Sequence, residues 1–254
     1  MAARQPNRFF VPGEQRAGRV NDLFAEVAPR YDLINDLQSL GLHRLWKRRV
    51  VRAARVGPGQ TALDLCCGTG DLTLALARTG AAATGLDFSE PMLAVARVRA
   101  ERMARASGPA GAGPLVFQQG DALKLPFADA AFDAVTIGYG LRNLSDPRAG
   151  LAEMRRVLRP GGRLVVLEFG KPENALWRGC YFAYLRWVVP VFGRLFCGNA
   201  AAYAYILESL QNYPAQAGIT RFLQELGFGE IRVTNLLGGA MSIHDAQKPG
   251  GGPG

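Results

Sequence analysis

The sequence predicts an α/β fold, a doubly wound, Rossmann-like sheet of about seven mostly parallel strands with helices on both faces. Three observations lead there. Between residues 61 and 169 short apolar runs alternate with amphipathic stretches, the signature of βαβ units. The first run empties into Gly68-Thr69-Gly70, where glycines allow a tight turn ahead of a helix. The second run closes on an acid, Asp87, 17 residues beyond Gly70. A chain of 254 residues and 27.4 kDa suits one core, so a single domain over 19–247 is expected, with frayed ends at 1–18 and 248–254.

The elements follow in order. Thr61 to Cys66 reads as the first strand and Leu72 to Arg78 as the helix after it. Ala83 to Asp87 is the second strand, and the next helix opens near Pro91, a residue favoured in a first turn. A breaker-rich loop, Ser107 to Pro114, precedes a third strand at Leu115 to Gln118. Phe132 to Ile137 is the fourth, and a helix from Ala149 to Leu158 stops at Pro160-Gly161-Gly162 before a fifth at Arg163 to Phe169. A late helix, Ile219 to Leu226, ends at Gly227, and Ile231 to Leu237 and Ala240 to Ile243 complete the sheet. Ahead of it, Leu42, Leu45, Trp46, Val50 and Ala53 share one helical face, while Arg44, Arg48, Arg52 and Arg55 share the other.

Composition narrows the class. Hydrophobic residues at 48% and charged residues at 20% exclude wholesale disorder, a fibre and a multi-span membrane protein. Thirty basic against 21 acidic residues leave +9, which suits an anionic partner or reflects an arginine-rich composition, since only Lys47, Lys124, Lys171 and Lys248 are lysine. Four cysteines without a C-x-x-C pair or metal spacing point to reduced thiols and no metal site. The first residues lack a signal-like apolar stretch, and the apolar run from Leu176 to Cys197 is broken by Arg178, Arg186, Pro190 and Arg194. A cytoplasmic location, peripheral to a membrane surface, is expected.

In a doubly wound sheet the ligand lies beyond the carboxyl ends of the strands. The first such turn is Leu63 to Asp71, with Asp64 at its root and Gly68, Thr69 and Gly70 at its tip. A dinucleotide fingerprint wants a glycine where Thr73 stands and room for a pyrophosphate where Asp71 stands. Asp71 either caps the helix or faces a cation, which points to a nucleoside bearing an amino-acid group. Asp87 suits both ribose hydroxyls, Leu86 and Phe88 offer apolar cover for a base, and Asp121, followed by Ala122, can accept from an exocyclic amine. Gly138, just past the fourth strand, is a further candidate cofactor contact.

LeuAspLeuCysCysGlyThrGly, GlyLeuAspPheSer and GlyAspAlaLeuLysLeuProPhe resemble the first three motifs of class I S-adenosylmethionine-dependent methyltransferases. PheAspAlaValThrIle and LeuArgProGlyGlyArgLeuValValLeuGluPhe carry the resemblance through the fifth strand. AlaProArgTyrAspLeuIleAsn (28–35), the segment 35–47, GlyTyrGlyLeuArgAsnLeu (138–144) and LeuGluPheGlyLysPro (167–172) are similar to the ubiquinone/menaquinone biosynthesis C-methyltransferase family, from about Val20 to Lys248. AsnLeuLeuGlyGlyAlaMetSerIleHis (235–244) resembles its phylloquinone branch, which acts on a 2-phytyl-1,4-naphthoquinone. The resemblance implies S-adenosylmethionine as cofactor, an antiparallel last strand, a helical cap over 19–56 and a lid over about 173–213. Gly170 departs from it, since the family often has Ser there.

The implied reaction moves a methyl group from a sulfonium to a ring carbon. A quinone carbon is electrophilic, so the acceptor must be the reduced naphthoquinol, or in the alternative a ubiquinone-type benzoquinol. Arg142 is expected to stabilise the phenolate or to orient a water that takes its proton, and Asn143 to fix a quinol oxygen. His43 is a further candidate base. Trp177, Tyr181, Trp187 and Phe192, interleaved with arginines, suggest a groove for a lipid tail opening to a membrane surface. No nucleic-acid partner is expected: an RNA methyltransferase would want an Asp/Asn-Pro-Pro-Tyr type motif where GlyTyrGlyLeuArgAsn stands. Intact glycines, Asp87 and Asp121 also argue against a non-catalytic adaptor. A homo-oligomer is compatible with all of this.

Overall fold

The computed structural model of the chain describes residues 35–36, 39–107, 112–191, 207, 209–210 and 213–250. Helix α1 (Leu42–Ala54) leads into β1 (Thr61–Leu65), α2 (Asp71–Ala77), β2 (Ala82–Asp87), α3 (Glu90–Ser107) and β3 (Leu115–Gln119). Then come β4 (Phe132–Gly138), a 3-10 turn (Leu141–Asn143), α4 (Pro147–Val157), β5 (Leu158–Phe169) and α5 (Ala175–Ala183), which runs on into a π turn (Tyr184–Val188). Helix α6 (Ala215–Glu225) and the hairpin of β6 (Gly229–Leu236) and β7 (Met241–Gln247) end the described chain.

The seven strands are ordered β3-β2-β1-β4-β5-β7-β6. β1 to β5 are parallel, and β7 runs antiparallel between β5 and β6. The chain order reverses between β1 and β4, which makes their carboxyl ends the switch point where a ligand settles in such sheets. Side chains alternate across the sheet. Leu164 and Val166 of β5 join Leu63, Leu65, Leu151, Met154, Ile219 and Leu223 in a core under α4 and α6. Val165 and Leu167 join Ala62, Ala134, Trp46, Val50, Leu72 and Leu76 in a second core under α1 and α2.

Several boundaries differ from the sequence reading. β5 begins at Leu158 because Leu158 already pairs with Phe132; Gly161 (φ 81°) then turns the chain and the ladder resumes at Arg163 opposite Ala134. β7 extends to Gln247, its polar composition hiding a strand whose His244 is buried and whose Asp245 accepts from Arg163 Nε at 2.9 Å. Lys248, assigned to the frayed tail by composition, is bonded into the fold: its ammonium donates to the carbonyls of Arg155 (2.8 Å) and Leu158 (2.7 Å). On α1 the buried stripe is His43, Trp46, Val50 and Ala54, which leaves Leu45 exposed and swings Lys47 toward α2. The proposed frayed start, most of the cap up to residue 34 and Phe192 lie outside the described residues.

Gly170, the departure noted above, has a reason in the packing. Its N–H donates to Ala240 O at 2.9 Å, and a Cβ there would sit 2.3 Å from Gly239 O and 2.4 Å from Gln216 Nε2. Backbone meets backbone where β5 passes the hairpin, so Gly170→Ser should lower stability by about 1–3 kcal/mol, read from urea unfolding.

Candidate cofactor cradle and methyl-acceptor site

The cradle begins as β1 ends. Cys66 takes a left-handed backbone (φ 51°), and Gly68 (54°) and Gly70 (83°) continue the reversal into α2. The two glycines serve different ends. A Cβ on Gly70 would strike Phe117 Cζ at 2.8 Å and Ala96 Cβ at 3.1 Å, so Gly70 lets β3 and α3 close on the loop. A Cβ on Gly68 would meet nothing within 4 Å, so its open side is available to a ligand.

Asp87 holds this loop to β2. Its Oδ2 accepts from Gly68 N–H and its Oδ1 from Ser89 N–H, both at 2.8 Å. Burial raises its pKa, countered by backbone donors from Ser89, Gly68 and Phe88. Each carboxylate oxygen has a second lone pair for a diol. Phe88 beside it is 47% exposed although aromatic, and Leu86 lies buried. Asp121 closes the next turn, Oδ1 accepting from Leu123 N–H at 2.8 Å, with Ala122 buried behind it. Gly138 backs the loop, since a Cβ there would meet Leu72 Cδ1 at 2.9 Å.

Asp64 lies under the cradle. Its oxygens accept from Thr73 Oγ1 (2.7 Å) and Thr136 Oγ1 (2.8 Å), which ties β1 to α2 and to β4. Burial pushes its pKa up to about 6. Asp71, read from sequence as a carboxylate for a cationic ligand, is already paired: Lys47 Nζ of α1 reaches Oδ2 at 2.6 Å and Arg99 of α3 grips Oδ1. These two cations outweigh its burial and hold it down to about 2. Arg99 also donates to the carbonyl and hydroxyl of Thr69, both at 3.0 Å, so Thr69 is fixed from behind. The cluster of Lys47, Arg99 and Asp71 carries a net positive charge beside the glycine loop. That favours an anionic end, such as the carboxylate of an amino-acid group, over a cation.

The acceptor side is built after β4. Tyr139 is left-handed (φ 61°), and a Cβ at Gly140 would strike Cys66 Cβ at 2.4 Å, so the turns after β1 and β4 interlock. Arg142, buried, pairs with fully buried Glu168 at 2.8 Å; Glu168 also accepts from the backbone N–H of Arg142 (3.2 Å) and of Phe169 (2.9 Å). Arg142 Nε donates to Ser209 Oγ at 3.2 Å, Nη1 reaches Tyr139 O, and Cζ lies 4.7 Å over the Phe169 ring. Asn143 Nδ2 donates to Tyr139 O at 3.4 Å. Buried Tyr181 of α5 donates from its hydroxyl to Ala240 O at 3.2 Å, and burial pushes the pKa of Tyr181 and of Tyr213 up while the Arg142 and Glu168 charges act on both. His43 is buried on α1, and burial lowers its pKa, with Lys47 adding to it. Ser39 Oγ gives its proton to Asn35 O (2.6 Å), so it accepts from His43 Nδ1–H at 2.8 Å, which leaves the ring's lone pair on Nε2.

The structure thus gathers Gly68, Thr69, Gly70, Asp87, Phe88, Asp121, Ala122 and Gly138 around one cradle with Asp64 beneath it, and sets Arg142 and Asn143 on the adjoining turn. Sequence reasoning missed Glu168, Lys47 and Arg99. Glu168 carried a signal, an acid inside the apolar run Leu164 to Phe169; Lys47 and Arg99 carried none, since 24 and 28 residues separate them from Asp71. Trp177 and Trp187, read from sequence as tail lining, are exposed on the outer surface, while Tyr181 faces inward.

Residues 12–248 match the ubiE/COQ5 methyltransferase family. The chain is 40% identical over 240 residues to the demethylmenaquinone methyltransferase of Desulfitobacterium hafniense (strain Y51), covering 93% of this chain and 92% of that one. It is 41% identical over 242 residues to the ubiquinone/menaquinone biosynthesis C-methyltransferase UbiE of Cellvibrio japonicus (strain Ueda107), covering 94% and 95%. Its fold is similar to a SAM-dependent methyltransferase from Aquifex aeolicus, with TM-score 0.59 and 17% identity over 85% of this chain and 97% of that one.

Two predictions follow from the charges. Replacing Asp71 by Asn strands the partly buried Lys47 ammonium beside Arg99; unfolding should show a loss of about 1–3 kcal/mol and cofactor titration a weakening of about ten-fold. Asp64 titrates near 6 folded, against an ordinary 3.8. Above 6 the folded state bears a buried charge; between 6 and 4 it takes up a proton that the unfolded chain does not, so stability rises as pH falls through that window. Measured against Asp64→Asn in urea, the native residue should gain about 2–3 kcal/mol from about pH 7 to about pH 4. A difference flat with pH would mean that Asp64 stays ionised.

Proposed function

The chain belongs to the ubiE/COQ5 methyltransferase family, and from that premise we propose that it methylates a ring carbon of a reduced naphthoquinol bearing a long apolar tail, phytyl or prenyl. S-adenosylmethionine is the methyl donor, and when bound it supplies an electrophilic methyl group. The observation that supports the reading is the buried Arg142–Glu168 pair, which ties the turn of Arg142 and Asn143 to β5 beside the turn after β1. The phytyl assignment rests on the motif at 235–244.

The residues divide the work. Asp87 would take the ribose hydroxyls, Phe88 would cover the base, Asp121 would accept from its amine, and Gly68 would let the backbone approach. Asp64 and Thr69 keep the loop in shape from below and behind. Carbon, methyl and sulfur must align near contact distance, and charge must be stabilised on the quinol oxygen as its proton leaves. Arg142, locked by Glu168, Ser209 and Phe169, does this without reorganising, and Asn143 fixes a quinol oxygen. His43, held neutral with its lone pair on Nε2, is the candidate proton acceptor on the cap helix.

The test supplies methyl-labelled S-adenosylmethionine with 2-phytyl- and prenyl-naphthoquinones and a benzoquinone analogue, with and without dithionite, beside total RNA. Label in a naphthoquinol only under reduction is expected; label in RNA or in none of them overturns the reading. Arg142→Lys keeps the charge but loses the planar fork, and kcat should fall about 100-fold while cofactor affinity moves less than about three-fold. Asp87→Ala should do the reverse, weakening the cofactor by about ten-fold or more for a lost pair of charge-assisted bonds.

A further inference from the structure

The segment 174–191 is apolar on two opposite sides, and only one of them is covered. Tyr181, Leu185 and Val189, four residues apart, are buried against the fold. In an ideal helix a four-residue spacing drifts by about 40° per step, and the wider π turn at Tyr184–Val188 takes up that drift, keeping all three inward. On the other side Leu176 is 80% and Trp187 67% exposed, and Trp177, Val188 and Val191 are exposed with them. Trp177 Nε1 donates to Leu237 O at 2.9 Å, which adds the exposed Leu237 of the β6–β7 hairpin to the same patch.

We propose that this outer face of α5 and its π turn docks the protein on an anionic lipid bilayer. Tryptophans flank the patch at both ends, as side chains with an apolar body and a polar edge do at a membrane–water boundary. The charged side chains within 174–191 are Arg178 and Arg186, with no acid between Asn174 and Val191. Arg186 folds its guanidinium over the Trp187 ring at 5.3 Å, placing a cation at the rim of the apolar surface. That charge pattern selects an anionic surface. It also disfavours a second copy, because a self-complementary contact would gather the arginines of both chains with no acid opposite. The described residues hold no helix long and apolar enough to cross a membrane, so the contact is one of surface. On the inner face of the same helix Tyr181 donates to Ala240 O, the carbonyl that also receives Gly170 N–H at the end of β5, so the patch is the side of α5 turned away from the sheet. The purpose of this contact, delivery of a bilayer-dissolved quinol, rests on the function proposed above; the contact itself does not.

The full chain is sedimented with vesicles of phosphatidylcholine alone and of phosphatidylcholine with phosphatidylglycerol, without substrate. Expected are binding to the anionic vesicles that weakens with salt, a loss of about ten-fold in Leu176→Ser/Trp187→Ser, and a shallower salt dependence in Arg178→Gln/Arg186→Gln. Circular dichroism and turnover of a tail-less naphthoquinol in solution should match the parent in every variant, which separates a docking loss from misfolding. Parent protein left in the supernatant overturns the proposal, as does a variant that binds vesicles as the parent does. A dimer that the Leu176→Ser/Trp187→Ser variant dissolves, without vesicle binding, overturns it in favour of a second copy. If vesicle binding depends on the patch while no quinol is methylated, the docking stands and the substrate assignment falls.

Discussion

Glu168 is fully buried in the sheet and bears a carboxylate that water cannot reach, and much of the acceptor side is arranged to satisfy it. A lone buried charge is costly, so Arg142 must come down from the turn after β4, and its backbone N–H must come with it. That requirement shapes the turn: Tyr139 is pushed into a left-handed backbone and its carbonyl is drawn to the guanidinium. It also reaches across the chain, since Ser209 accepts from Arg142 and Tyr181 and Tyr213 pack within range of the pair. One ion pair therefore joins the turn after β4 to β5 and to Ser209.

The cofactor side follows the same logic with different groups. Asp87 bridges the glycine loop to β2 through backbone donors, Asp64 bridges β1 to α2 and β4 through threonine hydroxyls, and Asp71 bridges α1 to α3 through two cations. Three carboxylates thus sit at three depths with three electrostatic states. Burial raises Asp64 and Asp87, while the cations depress Asp71. Asp64 is fully buried while Asp71 and Asp87 are partly exposed, and of those two only Asp71 is paired with cations; all three hold the glycine loop in one shape.

The two faces of α5 extend the argument to the surface. Its inner side packs Tyr181 and Leu185 against the fold, and its outer side leaves tryptophan, leucine and valine in water. Apolar side chains gathered on one exposed face are unusual for a water-facing helix, and Arg178 and Arg186 are the charged side chains among them. Leaving that apolar surface in water carries a hydrophobic cost.

The order of strands and helices, the glycine loop, the acid after β2 and the family itself were legible in the chain, because they depend on local periodicity, backbone freedom and short ordered motifs. β7 was read short because His244 and Asp245 look polar until Gln216 and Arg163 are seen to satisfy them. The sequence alone therefore determined which residue types stand at each strand end. The tertiary structure decided which of them meet: Asp71 with Lys47 and Arg99, Arg142 with Glu168 and Ser209, and Trp187 with solvent rather than with the interior. Those pairings span about twenty to seventy residues, and long-range contacts are set by how helices pack on the sheet, which no local pattern encodes.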